Sequence, residues 1–257
     1  MFQGLSHSEI NWVSHFLMTE RESPNHGWPR PYVGGISLTY DGGKVEHLEL
    51  AWPMLTARDI RGTFFVDGES WVTSLPAWKK VAESGNEIGN GCLLRDAKAD
   101  GSLPRWTQEM ISAEIAETQS LIAETLGYSP RSFAFPWGSP TCASEVDYRR
   151  TASHGFLFAR SGVEGNNIPD ALSSHYLRTL LAADHSGDDL IRIAKDAISR
   201  HHWLIVSFSG IGSGTNAVDA AAHRIFLDWL HEQQNLLTGP MSVVGAQIQL
   251  QNESQQG

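Results

Sequence analysis

Ile36-Ser37-Leu38-Thr39-Tyr40-Asp41-Gly42-Gly43 is an apolar run that ends in a carboxylate and two glycines. A buried strand that finishes in this way sets its last acidic side chain at the mouth of a sheet or barrel, where the reacting groups of α/β proteins sit. Asp41 is therefore the first candidate for a chemical role. It also reads as the cap of a helix beginning near Val45, since aspartate accepts from orphan helical N–H groups and the glycines permit the turn. The stretch alone leaves both readings open.

Working outward, β-branched and apolar runs alternate with amphipathic helical ones, which is the pattern of a parallel sheet or barrel. Strands are expected at 35–40, 62–66, 87–90, 132–135, 156–160, 175–180, 203–208 and 241–244. Helices are expected at 45–58, 76–84, 107–126, 143–154, 188–199 and 218–233. In the central helix Ile111, Ile115, Ile122 and Leu126 share a face, and Gly127 supplies the stop. Upstream, the Ser6-x-x-Glu9 capping box and Ile10, Val13 and Leu17 predict a first helix over 7–20, ended by Pro24, Pro29 and Pro31. The domain reading is an N-terminal helix and loop over 1–32, a barrel over 33–249 and a polar, frayed tail over 250–257.

A formal net charge of −10 over 257 residues argues against neutralising a nucleic-acid backbone or an anionic membrane. The start of the sequence lacks a basic segment followed by an apolar one, and no apolar run spans a membrane, so the expectation is a non-exported, cytoplasmic protein. Two cysteines, Cys92 and Cys142, are too few for a disulfide framework and lack metal-ligand spacing.

Five stretches in order carry a family resemblance: Ser37–Gly43, Arg61-Gly62-Thr63-Phe64-Phe65-Val66, Gly85-Asn86-Glu87-Ile88-Gly89-Asn90, Phe133-Ala134-Phe135-Pro136-Trp137-Gly138, and Trp203–Gly210. Together they resemble the polysaccharide deacetylase (NodB-homology, carbohydrate esterase) family. The resemblance implies an α/β fold, an irregular barrel of seven or so parallel strands, here with an extra N-terminal helix. It also implies a groove at the strand C-termini in which a divalent metal supports hydrolysis of acetamido groups on sugars. Asp41 matches the family's general base. The metal-ligand positions read Gly42, Gly91 and Arg95, the third motif has Ala134 in place of its arginine, and the final leucine-x-histidine motif places Ser209 at its histidine. Glycine offers no donor and arginine does not deprotonate to coordinate, so no metal cofactor is expected. Nor does a serine replace imidazole as a neutral-pH general acid.

Arg95 is a candidate to replace part of the metal's charge by pairing with Asp41 or holding an anionic ligand group, with local pairing to Asp96 as the alternative. Trp137 occupies the family's aromatic position beside the substrate and offers a flat face to a sugar ring; Trp71 and Trp106 are also expected in or near groove loops, with a helix-end anchor as their alternative reading. Asp67 at the end of a strand forms a possible carboxylate pair with Asp41 or a turn with Gly68. Among the histidines, His7, His15, His26 and His47 read as surface or pre-barrel residues, and His175 and His185 flank the groove without ligand spacing.

The expected partner is thus a saccharide or small acylated amino sugar. Three functions follow: hydrolysis of a non-peptide C–N bond of such a sugar by a metal-free route through Asp41, in carbohydrate metabolism or cell-surface polysaccharide and O-antigen synthesis; saccharide binding by an inactive pseudoenzyme; or a metal-independent, allantoinase-like amide hydrolase.

Overall fold

The chain is described here by a computed structural model covering residues 26–92, 106–143, 146–214 and 216–256. The predicted helix over 7–20 and Arg95 lie outside these residues. Strand β1 (Gly34–Asp41) runs down the middle of a parallel sheet. Its neighbours are β2 (Thr63–Val66), β3 (Glu87–Asn90), β4 (Ser132–Ala134), β7 (Phe158–Arg160), β8 (Leu180–Leu181) and β9 (Trp203–Phe208), in the order β7-β4-β3-β2-β1-β9-β8. Strands β5 (Thr141–Ala143) and β6 (Val146–Asp147) form a separate antiparallel pair. A bridge between Arg160 and Leu177 brings the two ends of the curled sheet together.

The period-2 alternation of each strand sorts side chains between two sides of the sheet. Ile36, Leu38 and Tyr40 of β1, with Phe64, Val66, Leu204, Val206 and Phe208, join the large core beneath the helices. The opposite set, including Phe65, Ala134, Phe158, Trp203 and Ile205, forms the inner cluster, joined by Trp28 and by Met241, Val244 and Ile248. Each such aromatic, fully buried, contributes roughly 1.5–3 kcal/mol. Gly35 permits this filling, because a Cβ there would meet the Trp28 ring at 2.3 Å. Trp28 is anchored by donating from Nε1 to the His201 carbonyl (2.8 Å).

The predicted strands and helices are found with shifts of a few residues, with three exceptions: strand residues Ala143 and Val146–Asp147 stand where the helix predicted over 143–154 was to begin, only Leu180 of the strand predicted at 175–180 lies in a strand, and the C-terminus differs. Met241–Gln256 is a helix, so the strand predicted at 241–244 is wrong, and so is the frayed tail as far as Gln256. Val243 and Val244 suggest a strand by type, yet both N–H groups donate to the Pro240 carbonyl. Met241, Val244 and Ile248 are a helical stripe packed on the inner cluster. The strand in this region is β10 (Leu236–Thr238), which pairs with the first half of β1. Two further expectations are corrected by burial: His47 is fully buried against Tyr40 and Phe64, and Trp71 lies in the main core away from the groove. Trp106 is partly buried against the cluster of Ile111, Phe133 and Tyr148.

Candidate functional site

The C-terminal ends of the strands surround a cleft of about 600 Å³. Its floor carries Asp41 from β1, Arg160 from β7 and Ser207 from β9, all on the inner side of their strands. Arg160 donates from Nη2 to Asp41 Oδ1, and Ser207 donates from Oγ to Asp41 Oδ2 at 2.7 Å. Arg160 is 4% exposed and Asp41 17% exposed, so this is an ion pair largely removed from water. The guanidinium also lies 4.9 Å from the centre of the Phe65 ring, a cation–π contact that fixes its position.

Asp41 does not open the following helix with these oxygens. The backbone leaves the strand through Gly42 at φ +92° and Gly43 at φ +56°, and the Lys44 N–H then donates to His47 Nδ1. Lys44 lines the cleft beside Asp41.

One wall is the segment Pro136–Gly138. Trp137 is 53% exposed and sits at φ +54°, a left-handed conformation unusual for a bulky residue. Next to it Gly138 and Gly162 approach so closely that a Cβ on Gly138 would meet Gly162 Cα at 2.5 Å. The Gly162 N–H donates to the Gly138 carbonyl (2.8 Å), which holds the tryptophan's loop to the strand end carrying Arg160. Thr179, Ser209 and Asn216 complete the polar lining.

Of the residues singled out in the sequence, Asp41, Trp137 and Ser209 line the cleft and Asp67 does not; Arg95 lies outside the described residues. The Asp67 carbonyl accepts from the Trp71 N–H, at the entry to the helix Gly68–Thr73. Arg160, Ser207 and Lys44 were not foreseen. The signal for Arg160 was the same as for Asp41, a charged residue closing an apolar run, Phe156-Leu157-Phe158-Ala159-Arg160. Ala134 and Arg160 are register partners on adjacent strands, so the guanidinium missing from β4 is supplied by β7 at the same level of the barrel.

A profile of the polysaccharide deacetylase family matches residues 31–155. The structure is similar to that of a Mycobacterium smegmatis protein assigned as a polysaccharide deacetylase, with a TM-score of 0.65 and 13% identity over 87% of this chain and 93% of that one. Residues 31–155 thus match the polysaccharide deacetylase family, and the similar structures share its fold. Other similar folds are a CE4 family pseudoenzyme of Bacillus anthracis in a mutant form with restored activity (TM-score 0.55, 15% identity, 82% of this chain and 66% of that one). The peptidoglycan deacetylase PdaC of Bacillus subtilis compares equally well (TM-score 0.55, 16% identity, 87% and 95% of the two chains). In sequence, the uncharacterized protein YlxY of Bacillus subtilis is 34% identical over 138 residues, 53% of this chain. That match spans 41% of the relative's length.

The family's divalent metal does not fit the residues present. Gly42, at the position of the metal-binding aspartate, has a backbone conformation that side-chain-bearing residues rarely adopt. At Gly91, a histidine position of the family, a Cβ would stand 3.0 Å from the Val66 carbonyl oxygen. Among the described residues no group of three or more histidine, cysteine or acidic side chains is arranged to hold a metal. Backbone and donors agree.

On the other side of β1, Tyr40 and His223 form a second polar contact, with 3.0 Å between the phenol oxygen and Nε2. His223 Nδ1 lies 3.4 Å from the Met54 sulfur. A thioether is an acceptor, so Nδ1 carries the proton and Nε2 accepts from the phenol. Burial pushes the His223 imidazole down to about 3, with smaller contributions from His47 and Arg58, and pushes the Tyr40 phenol up.

Proposed function

We propose that this protein binds a saccharide carrying an acylated amino group and does not turn it over by metal-assisted hydrolysis. The observation that carries the reading is the state of Asp41: one oxygen is engaged by Arg160 and the other by Ser207. The chain's own donors take one lone-pair site on each oxygen, and among the described residues no metal-holding group stands beside them to polarise an acyl group. The cleft keeps what binding requires: an exposed indole plane, hydroxyl and amide groups on the walls, and an enclosed floor. Its role in cell-surface polysaccharide or O-antigen metabolism, and its place in the cytoplasm, belong to this proposal.

Titration calorimetry with chitin oligomers tests it. Binding without acetate release is expected, weakened about tenfold in Trp137→Ala through loss of ring stacking. The second reading, metal-free hydrolysis, draws on Asp41 standing within the cleft beside the Ser207 and Ser209 hydroxyls. Acetate release that survives chelation and disappears in Asp41→Asn would replace the binding reading with this one.

A further inference from the structure

Among the described residues, the charges lining the cleft do not cancel. Among the described residues, the charged side chains lining it are Asp41, Lys44 and Arg160. Arg160 and Asp41 are paired, which leaves the Lys44 ammonium as surplus positive charge. This excess stands out in a chain whose formal net charge is −10. Two donors beside it are also unspent. Arg160 uses Nη2 on Asp41, while its buried Nε has no hydrogen-bond partner among the described residues, and the buried Thr179 Oγ1 has none among them either. Buried donors are ordinarily paired, and an arginine held by an ion pair and an aromatic face cannot turn away to find water.

We infer that the saccharide taken by this cleft bears a carboxylate. The two cations and one carboxylate of the described lining are balanced by one further anion. A guanidinium fork beside an ammonium suits a planar carboxylate group. A neutral sugar covering the cleft would strip water from Lys44 without returning a counter-charge. Trp137 on the wall offers its face to the sugar ring while the acid group reaches toward Lys44 and the floor. This inference rests on the saccharide reading above and narrows its ligand to acidic sugars, such as uronate-containing chains.

Two tetrasaccharides make the test: a hyaluronan fragment, which alternates N-acetylglucosamine with glucuronate, and chitotetraose, which carries N-acetylglucosamine alone. Titrated into the protein, the acidic fragment is expected to bind on the order of tenfold more tightly. That preference should shrink as salt is raised and disappear in Lys44→Gln, the affinity for the acidic fragment falling to that for chitotetraose. Circular dichroism establishes that the variant is folded. Equal affinities for the two sugars, or a preference untouched by Lys44→Gln, overturn the inference and leave saccharide binding in place. Failure of both sugars to bind overturns the saccharide reading and the inference with it.

Discussion

Tyr40 and Asp41 are neighbours at the end of β1, and strand alternation sends them to opposite sides of the sheet. Tyr40 enters the sealed core beneath the helices, where its hydroxyl meets His223 and both groups stay neutral. Asp41 enters the cleft, where its carboxylate meets a guanidinium and a hydroxyl. The two pairs follow one rule: a polar group withdrawn from water is retained with a partner. They differ in charge because they differ in access. The sealed side excludes ions, and the open side tolerates an ion pair and can admit another.

The largest expected effect breaks the neutrality of the sealed side. The folded pKa of His223, about 3, lies well below the ordinary imidazole value, so acid favours the unfolded chain. The stability is complete above the unfolded pKa and is lost as pH falls toward the folded one. The loss is about 2 kcal/mol by about pH 5 and on the order of 4 kcal/mol by about pH 3. Urea midpoints measured against pH should show this slope, and His223→Gln should remove it; an unchanged slope in the variant would refute the assignment.

Next in size is the ion pair on the open side. Arg160→Met leaves Asp41 without its guanidinium and is expected to cost about 3 kcal/mol. The double variant Asp41→Leu with Arg160→Met should recover much of that, since it removes both charges from a mostly buried place. A single variant as stable as the parent in denaturant unfolding would show that solvent already compensates Asp41.

The smallest effect sharpens the contrast at the turn after Asp41. Gly42→Asp restores the family's metal-ligand residue type, yet at φ +92° it should cost about 1 kcal/mol or more and bring no zinc. Thermal melting and emission spectroscopy of the metal content check the two halves, and stoichiometric zinc in the variant would contradict the account of the backbone.

Much of the barrel was legible because alternation and helical stripes are local. The central helix with its Gly127 stop, and β1 ending in Asp41, follow from residues near one another in sequence. The C-terminal helix was misread for the same reason: paired valines favour a strand locally, and burial of Met241, Val244 and Ile248 against the inner cluster overrides it. His47 was misplaced on the surface because its neighbours are polar, whereas the turn after Gly43 drives its ring into the core.

The sequence by itself determined the strand–helix alternation, the position of Asp41 at a strand end, and the emptied ligand positions at Gly42 and Gly91, since these are properties of residue type and order. Only the tertiary structure decided what holds Asp41. Arg160 is 119 residues away in sequence and Ser207 is 166 residues away. Closing the sheet places three strand ends around one cleft, and no local pattern encodes a distance of that kind.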